Sequence, residues 1–160
     1  INLTNLSFSY PIRKEFSLSK ISMTIKKEDF IGIIGETGSG KSTLINLLIG
    51  LLKPTEGKVE VDKLNINSNL PEWYKKIGYV PQSVYLMDDT IRKNNAFGLR
   101  EDDIDDALIK QAVEKASLNK FLDNLTDGLE TIVGEKGIRL SGGQQQRIGI
   151  ARALYRNPEN

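Results

Sequence analysis

The sequence of 160 residues contains no cysteine and no histidine. Without cysteine there is no disulfide, no thiolate zinc site and no cysteine nucleophile. Without histidine there is no Ser-His-Asp triad, no imidazole metal ligand and no imidazole acid or base. An excess of charge is missing too, because 22 basic and 21 acidic residues leave a formal net charge of +1. A dedicated nucleic-acid binder usually has a basic excess, so we expect no nucleic-acid partner.

Long apolar runs are also missing. The longest run, residues 47–52, is far shorter than a membrane span. The chain starts at Ile1, no signal peptide follows, and we expect it to be a soluble piece of a longer protein. A hydrophobic fraction of 39% and a charged fraction of 27% are typical of a globular chain, and the length fits one domain.

The first half of the chain combines strand and helix patterns. Alternating apolar residues predict strands over residues 3–10 and 21–25, and further short strands over 58–62 and 76–80. Residues 30–34 are apolar without alternation, which is typical of a parallel strand covered on both faces. Apolar residues at helical spacing predict a helix over 41–52, which Pro54 and Gly57 would stop.

The second half of the chain is predicted to be mostly helical, with helices near 90–96, 104–116, 119–125 and 141–156. We therefore expect an α/β fold. The boundary near Pro81 would separate two subdomains of one domain, residues 1–81 and 82–160, rather than two independent domains.

A glycine-rich turn follows the apolar segment 30–34. Residues 35–42 fit the pattern G-x-x-x-x-G-K-[ST]. Glycines let backbone N–H groups approach phosphate oxygens, and the helix that follows presents unpaired N–H groups with the positive end of its dipole. Lys41 adds a positive charge, and Ser42 offers a hydroxyl to Mg²⁺. The pattern predicts a phosphate-binding loop.

A second glycine turn opens the last predicted helix, at residues 140–147. Ser141 is a favoured N-cap residue, and Gly142 and Gly143 leave their amides open to an anion. Taken alone, this stretch is either a second anion site or an ordinary Ser-capped helix after a loop.

The two turns lie about 100 residues apart, and together they resemble two motifs of ABC-type ATPases. Residues 35–43 are similar to the Walker A motif and residues 140–147 to the signature motif. The resemblance extends from Tyr10 to Arg156. It implies a P-loop NTPase (RecA-like) fold: a mixed-sheet core, an antiparallel β subdomain and a helical subdomain that carries the signature.

The resemblance also implies roles for individual residues. Lys41 and Gln82 would be catalytic, Ser42 and Gln82 would favour Mg²⁺, and Tyr10 would stack on adenine. The residues that would bind the nucleotide are Tyr10, Gly35, Glu36, Thr37, Gly38, Ser39, Gly40, Lys41, Ser42 and Thr43. The residues that would contact the ATP of an opposite subunit are Leu140, Ser141, Gly142, Gly143 and Gln144.

Two further stretches resemble the exporter type of this family. Residues 131–137 are similar to the X-loop of exporters, and a second set looks exporter-like: Met87, Thr90, Ile91 and Asn94. The resemblance implies an ATP-binding domain, working with Mg²⁺ and ATP, that pairs head to tail with a second such domain. It would act at the cytoplasmic face of the membrane, with transmembrane domains that export a lipid, oligosaccharide, peptide or drug.

The sequence departs from the family pattern in two ways. The family continues past the signature helix into an apolar strand ending in Asp-Glu (the Walker B motif) and has a switch histidine, and neither occurs here. We therefore expect a truncated domain that is inactive alone. Three alternatives remain: a soluble, non-transport ABC ATPase, a nucleotide-binding module without hydrolysis, and a small-molecule P-loop kinase. The kinase leaves the second glycine turn unexplained.

Overall fold

The computed structural model describes residues 1–12 and 16–158. Its contacts divide the chain into two compact units, residues 1–75 and residues 76–160. The single-domain organisation with a boundary near Pro81 stays a prediction.

The first unit contains a four-stranded antiparallel sheet in the order β2-β1-β3-β4. The strands are β1 (Asn2–Phe8), β2 (Leu18–Thr24), β3 (Glu56–Val61) and β4 (Leu64–Asn65). The strands predicted near 3–10, 21–25 and 58–62 are thereby confirmed. Burial in β1 does not alternate strictly: Leu3, Leu6, Ser7 and Phe8 are buried, and the pairing with β2 shifts register between Leu3 and Leu6. In β3, Val59 is buried.

The strand predicted over residues 30–34 is wrong, because the structure has no strand there. The segment lies exposed, and Ile34 is 94% accessible. The strand predicted over 76–80 is wrong as well, since Lys76 ends a helix and residues 77–80 have no regular structure. An apolar sequence favours a strand, but a strand also needs a hydrogen-bonded neighbour, and the described residues offer neither segment one.

Helix α1 (Lys41–Leu48) is shorter than predicted. Gly50, with a φ of 79°, turns the chain out of the helix before Pro54 and Gly57 are reached. Helix α2 (Leu70–Lys76) packs against this end of α1. The buried Trp73 donates its Nε1 hydrogen to the carbonyl of Leu48 at 3.1 Å, and the Tyr74 hydroxyl donates to the carbonyl of Gly50 at 3.0 Å. These bonds satisfy carbonyls that the helix end leaves free.

The second unit is helical, and all four helices predicted there are confirmed with slightly shorter bounds. They are α3 (Ile91–Asn95), α4 (Asp106–Lys115), α5 (Asn119–Leu122) and α6 (Gly142–Tyr155). Their apolar faces meet in one core, in which the fully buried side chains include Ile91, Ile109, Leu118 and Ile148. Single 3-10 turns at 101–103, 128–130 and 135–137 connect them.

Candidate nucleotide-binding site

The glycine loop, residues 35–40, leads directly into α1 in the first unit. Gly38 and Gly40 have φ values of 87° and 92°, a region that side chains other than glycine rarely adopt. Within the described part of the chain, a Cβ added to Gly38 would meet no atom within 4 Å beyond its chain neighbours, so this part of the loop is open. The loop therefore presents an accessible backbone surface.

The N-terminus of α1 offers free backbone N–H groups. Its N-cap is Gly40, no described side chain caps it, and the first turn contains no acidic residue. The unpaired N–H groups and the helix dipole therefore favour an anion at this end, and no carboxylate opposes it there.

Lys41 bends back over the glycine loop. Its Nζ donates hydrogen bonds to the carbonyl oxygens of Gly35, at 2.8 Å, and Glu36, at 2.7 Å. An ammonium group has three donors, so one remains for a ligand. The two bonds fix a positive charge against the glycine loop.

Tyr10 lies beside the same helix. Its hydroxyl shares a hydrogen bond of 3.1 Å with Oγ1 of Thr43, and its ring packs edge-on against Phe8 with centroids 4.9 Å apart. The residue remains 37% exposed. An aromatic ring held in this way beside a phosphate loop fits the predicted stacking on adenine, which stays a prediction.

Ser42 lies in the first turn of α1 and is exposed to solvent. Among residues 1–12 and 16–158 no group of three or more acidic side chains could hold a metal ion by itself. Mg²⁺ is often held by one or two protein oxygens together with substrate phosphates, so a single hydroxyl beside a phosphate loop fits this ion.

The signature turn, residues 140–144, belongs to the second unit. Ser141 caps α6: its Oγ accepts from the N–H of Gln144 at 3.3 Å, while Oε1 of Gln144 accepts from the N–H of Ser141 at 2.7 Å. This capping box confirms the predicted N-cap. Added Cβ atoms on Gly142 and Gly143 would meet no atom of another described part of the chain within 4 Å. The turn is thus an exposed helix N-terminus, and its role toward ATP stays a prediction.

The structure brings the loop, Lys41, Ser42, Thr43 and Tyr10 together in the first unit. Gln82 lies exposed in the second unit, two residues before the buried Val84, and its predicted catalytic and Mg²⁺ roles stay predictions. Sequence reasoning did not single out Arg152. The one available signal was a charged residue in the apolar stripe of α6, between Ala151 and Leu154.

Comparison with known proteins decides the family, since residues 18–159 match the ABC transporter family. The chain belongs to the ABC transporter family. It therefore has the α/β fold of the ABC ATPase domain, a P-loop NTPase, which confirms the predicted fold class. ATP hydrolysis is the general activity of this family's ATPase domains.

Relatives of this ABC transporter chain are several-fold longer than it is. An ATP-dependent lipid A-core flippase of Coxiella burnetii is 42% identical, over 98% of the chain and 27% of the relative. ABC transporter B family member 21 of Arabidopsis thaliana is 39% identical, over 99% of the chain and 12% of the relative. The solved structure of a bacterial Atm1-family ABC exporter with ATP bound matches with a TM-score of 0.89 and 35% identity, over 98% of this chain and 27% of that one.

None of the helices in residues 1–12 and 16–158 has the length and hydropathy needed to cross a membrane.

Proposed function

We propose that the chain is the nucleotide-binding domain of an exporter-type ABC transporter, which couples ATP binding and hydrolysis to export. The observation that carries the proposal is the position of Lys41, whose ammonium is fixed across the glycine loop by two backbone carbonyls. The relatives' names support the exporter type, since they include a flippase and an exporter. The exported substrate would be a lipid, oligosaccharide, peptide or drug.

In this proposal the first unit binds one ATP. The amides of Gly38 and Gly40 and the first turn of α1 donate to phosphate oxygens, and Lys41 neutralises phosphate charge. Fixed donors of this kind stabilise charge without reorganising. Tyr10 stacks on the base, because its hydroxyl bond to Thr43 holds its exposed ring next to the loop.

Mg²⁺, when bound, would screen the phosphates and draw charge from the bond that breaks. Ser42 would hold it, and the resemblance assigns Gln82 to the same ion. What these residues contribute themselves is orientation: a hydroxyl on a helix turn and an amide on an exposed segment after Pro81.

The signature turn would act on the nucleotide of a second copy. Two domains packed head to tail about a two-fold axis form two equivalent sites, each with a glycine loop from one copy and a signature turn from the other. The exposed glycines and the capped N-terminus of α6 support this role. Transmembrane domains at the cytoplasmic face of the membrane would be the further partners.

The test is the substitution Lys41→Ala. Because hydrogen bonds from charged donors contribute roughly 1.5–3 kcal/mol, we expect ATP affinity to fall about ten- to a hundredfold. The measurement is titration of the full chain with ATP and Mg²⁺ by calorimetry, with circular dichroism to verify the fold.

Lys53→Ala is the matched control, since Lys53 is an exposed lysine beyond the end of α1. It should bind ATP as the wild type does. A Lys41→Ala protein that is folded and binds ATP with unchanged affinity would contradict the assignment of the glycine loop.

One alternative has its own observation. The 160 residues contain no histidine and no apolar strand ending in Asp-Glu. We therefore infer that these residues by themselves bind ATP without hydrolysing it. Phosphate release by the purified 160-residue chain at the rate of a complete ABC ATPase would refute this.

A further inference from the structure

The segment that follows Gln82 lies directly against helix α6. Here it is named the linking segment, residues 84–90. Its Val84 is buried against Gly149 of α6, and a Cβ added to Gly149 would lie 2.6 Å from Cγ2 of Val84. The helix backbone and the segment therefore meet without a gap, and neither can shift alone without a clash or a void.

Arg152, one turn further along α6, ties the same segment by hydrogen bonds. Its Nη1 donates to the carbonyl of Tyr85 at 2.9 Å, and its Nε donates to the carbonyl of Asn94 at 2.8 Å. Its guanidinium also lies 4.7 Å from the centre of the Phe97 ring. The two carbonyls are held by two different nitrogens in the fixed plane of the guanidinium, whereas a lysine ammonium offers a single nitrogen at the end of a flexible stem.

Asn94 connects Arg152 to further residues of the linking segment by hydrogen bonds. The residue is fully buried, and its Oδ1 accepts from the N–H of Met87 at 2.9 Å and from Nη2 of Arg152 at 3.2 Å. Its Nδ2 donates to the carbonyls of Met87 and Thr90, both at 3.0 Å. A buried amide with every group bonded fixes a single loop geometry.

The other end of the contact reaches the signature turn. Leu86 of the linking segment packs on Gly137, where an added Cβ would lie 2.7 Å from its Cδ1. Gln145, in the first turns of α6, donates its Nε2 hydrogen to the carbonyl of Gly137 at 2.9 Å. The linking segment is thus fastened on both sides of Ser141: to the turn before it and to the helix after it.

We propose that Arg152 is a positioning residue that locks the linking segment to α6 and thereby fixes the placement of the signature turn. The inference rests on the proposed function, because it concerns the turn that would contact the ATP of a second copy. Arg152 acts through its bonds to Tyr85 of the linking segment and to Asn94. Its effect is the placement of Ser141 and the glycines that follow.

The experiment compares the wild-type full chain with Arg152→Lys by hydrogen exchange. The reporters are the N–H of Met87, bonded to Asn94, and the N–H of Gln145, bonded to the carbonyl of Ser141. We expect both N–H groups to exchange about tenfold faster in Arg152→Lys. If Arg152 holds the linking segment and α6 together as one cooperative unit, its loss makes local opening of that unit easier at both positions. Arg156→Lys is the matched control: Arg156 is the C-cap residue of α6, and within residues 1–12 and 16–158 its side chain donates to the carbonyl of Phe97. Neither reporter should change in it.

A steric pair of variants supplies an independent test. Gly149→Ala pushes on Val84 and should accelerate both reporters. Adding Val84→Ala removes both γ-methyl groups and leaves its Cβ 3.5 Å from the new one, an ordinary contact. The double variant should therefore restore wild-type exchange. If Arg152→Lys does not fold, this pair still decides whether the linking segment and the start of α6 open as one unit, and separate responses of the two reporters would overturn the proposal.

A functional measurement follows on the same proteins. In Arg152→Lys we expect ATP affinity within about twofold of the wild type and ATP-driven dimerisation about tenfold weaker, because the variant disturbs the signature side alone. Acceleration of Met87 without Gln145, or wild-type dimerisation, would overturn the proposal. If the wild type binds no ATP, the proposed function fails, while the exchange measurements still decide whether Arg152 links the two segments.

Discussion

Gly40 meets two separate demands at the junction of the glycine loop and α1. Its φ of 92° lies in the left-handed region, and an added Cβ would lie 2.7 Å from Cδ2 of Leu18 and 3.0 Å from the carbonyl oxygen of Ser17. The close approach places the N-terminus of α1 against β2. Gly40 therefore determines both the backbone direction of the loop and how closely the loop packs against the sheet.

Gly40→Ala should therefore destabilise the protein more than Gly38→Ala does. Both residues have positive φ, but only Gly40 has neighbours within reach of a new Cβ. We expect Gly38→Ala to lower the free energy of unfolding by about 1 kcal/mol through backbone strain, and Gly40→Ala by about 2–4 kcal/mol through strain and overpacking. Urea denaturation of the two variants measures the difference. Equal losses would show that the contact with Leu18 yields without cost.

At the scale of single elements, α6 begins with a reciprocal cap that does not depend on any ligand. The side chain of Ser141 and that of Gln144 each satisfy a backbone N–H of the other. An exposed helix start needs such partners, because its first N–H groups have none within the helix. The same cap keeps the glycine amides of the signature turn in a fixed direction.

Ser141→Ala is predicted to lower the free energy of unfolding by about 1 kcal/mol, the usual loss for an N-cap. Thermal or urea unfolding without nucleotide measures it. Gln146→Ala is the control: Gln146 is exposed and lies two residues beyond Gln144, outside the capping box, so its replacement should change stability little. A Ser141→Ala protein as stable as the wild type would mean that the capping box contributes nothing to the fold.

At the scale of the whole molecule, the sequence predicts those features that depend on neighbouring residues in the chain, namely helices, caps and tight turns. The four helices of the second unit follow from apolar spacing and from caps such as Asp105, whose carboxylate accepts from two N–H groups at the start of α4. The glycine loop could be predicted from its residue pattern, because the glycines stand at the positions where the backbone adopts a positive φ. The helix predicted over 41–52 ends earlier, at Leu48, because Gly50 adopts a positive φ although it stands within an apolar run.

What the sequence could not predict depends on distant partners. Residues 30–34 have the composition of a buried strand, yet pairing depends on neighbours that no local pattern shows. The hydrogen bonds of Arg152 join residues 58 and 67 positions away in the chain. Such contacts have no periodicity, so only the fold reveals them.

The exposed segment 30–34 leads to a prediction for the purified chain. A short apolar stretch with free backbone groups is a template for strand pairing between molecules. We expect Ile34→Lys to reduce self-association in light scattering while the circular dichroism spectrum stays unchanged. Leu64→Lys replaces another exposed apolar residue, 74% accessible but outside this segment, and should have a smaller effect. An equal effect of both would point to surface charge alone.

The bonds of Lys41 to Gly35 and Glu36 also bear on which anions the loop admits. The ammonium already donates to two peptide oxygens, so an anion that binds it has to compete with these two hydrogen bonds. A chloride or a lone carboxylate gains little from that exchange. A polyphosphate brings several oxygens of high charge density and competes better with the peptide carbonyls, so we expect the loop to favour polyphosphates over single small anions.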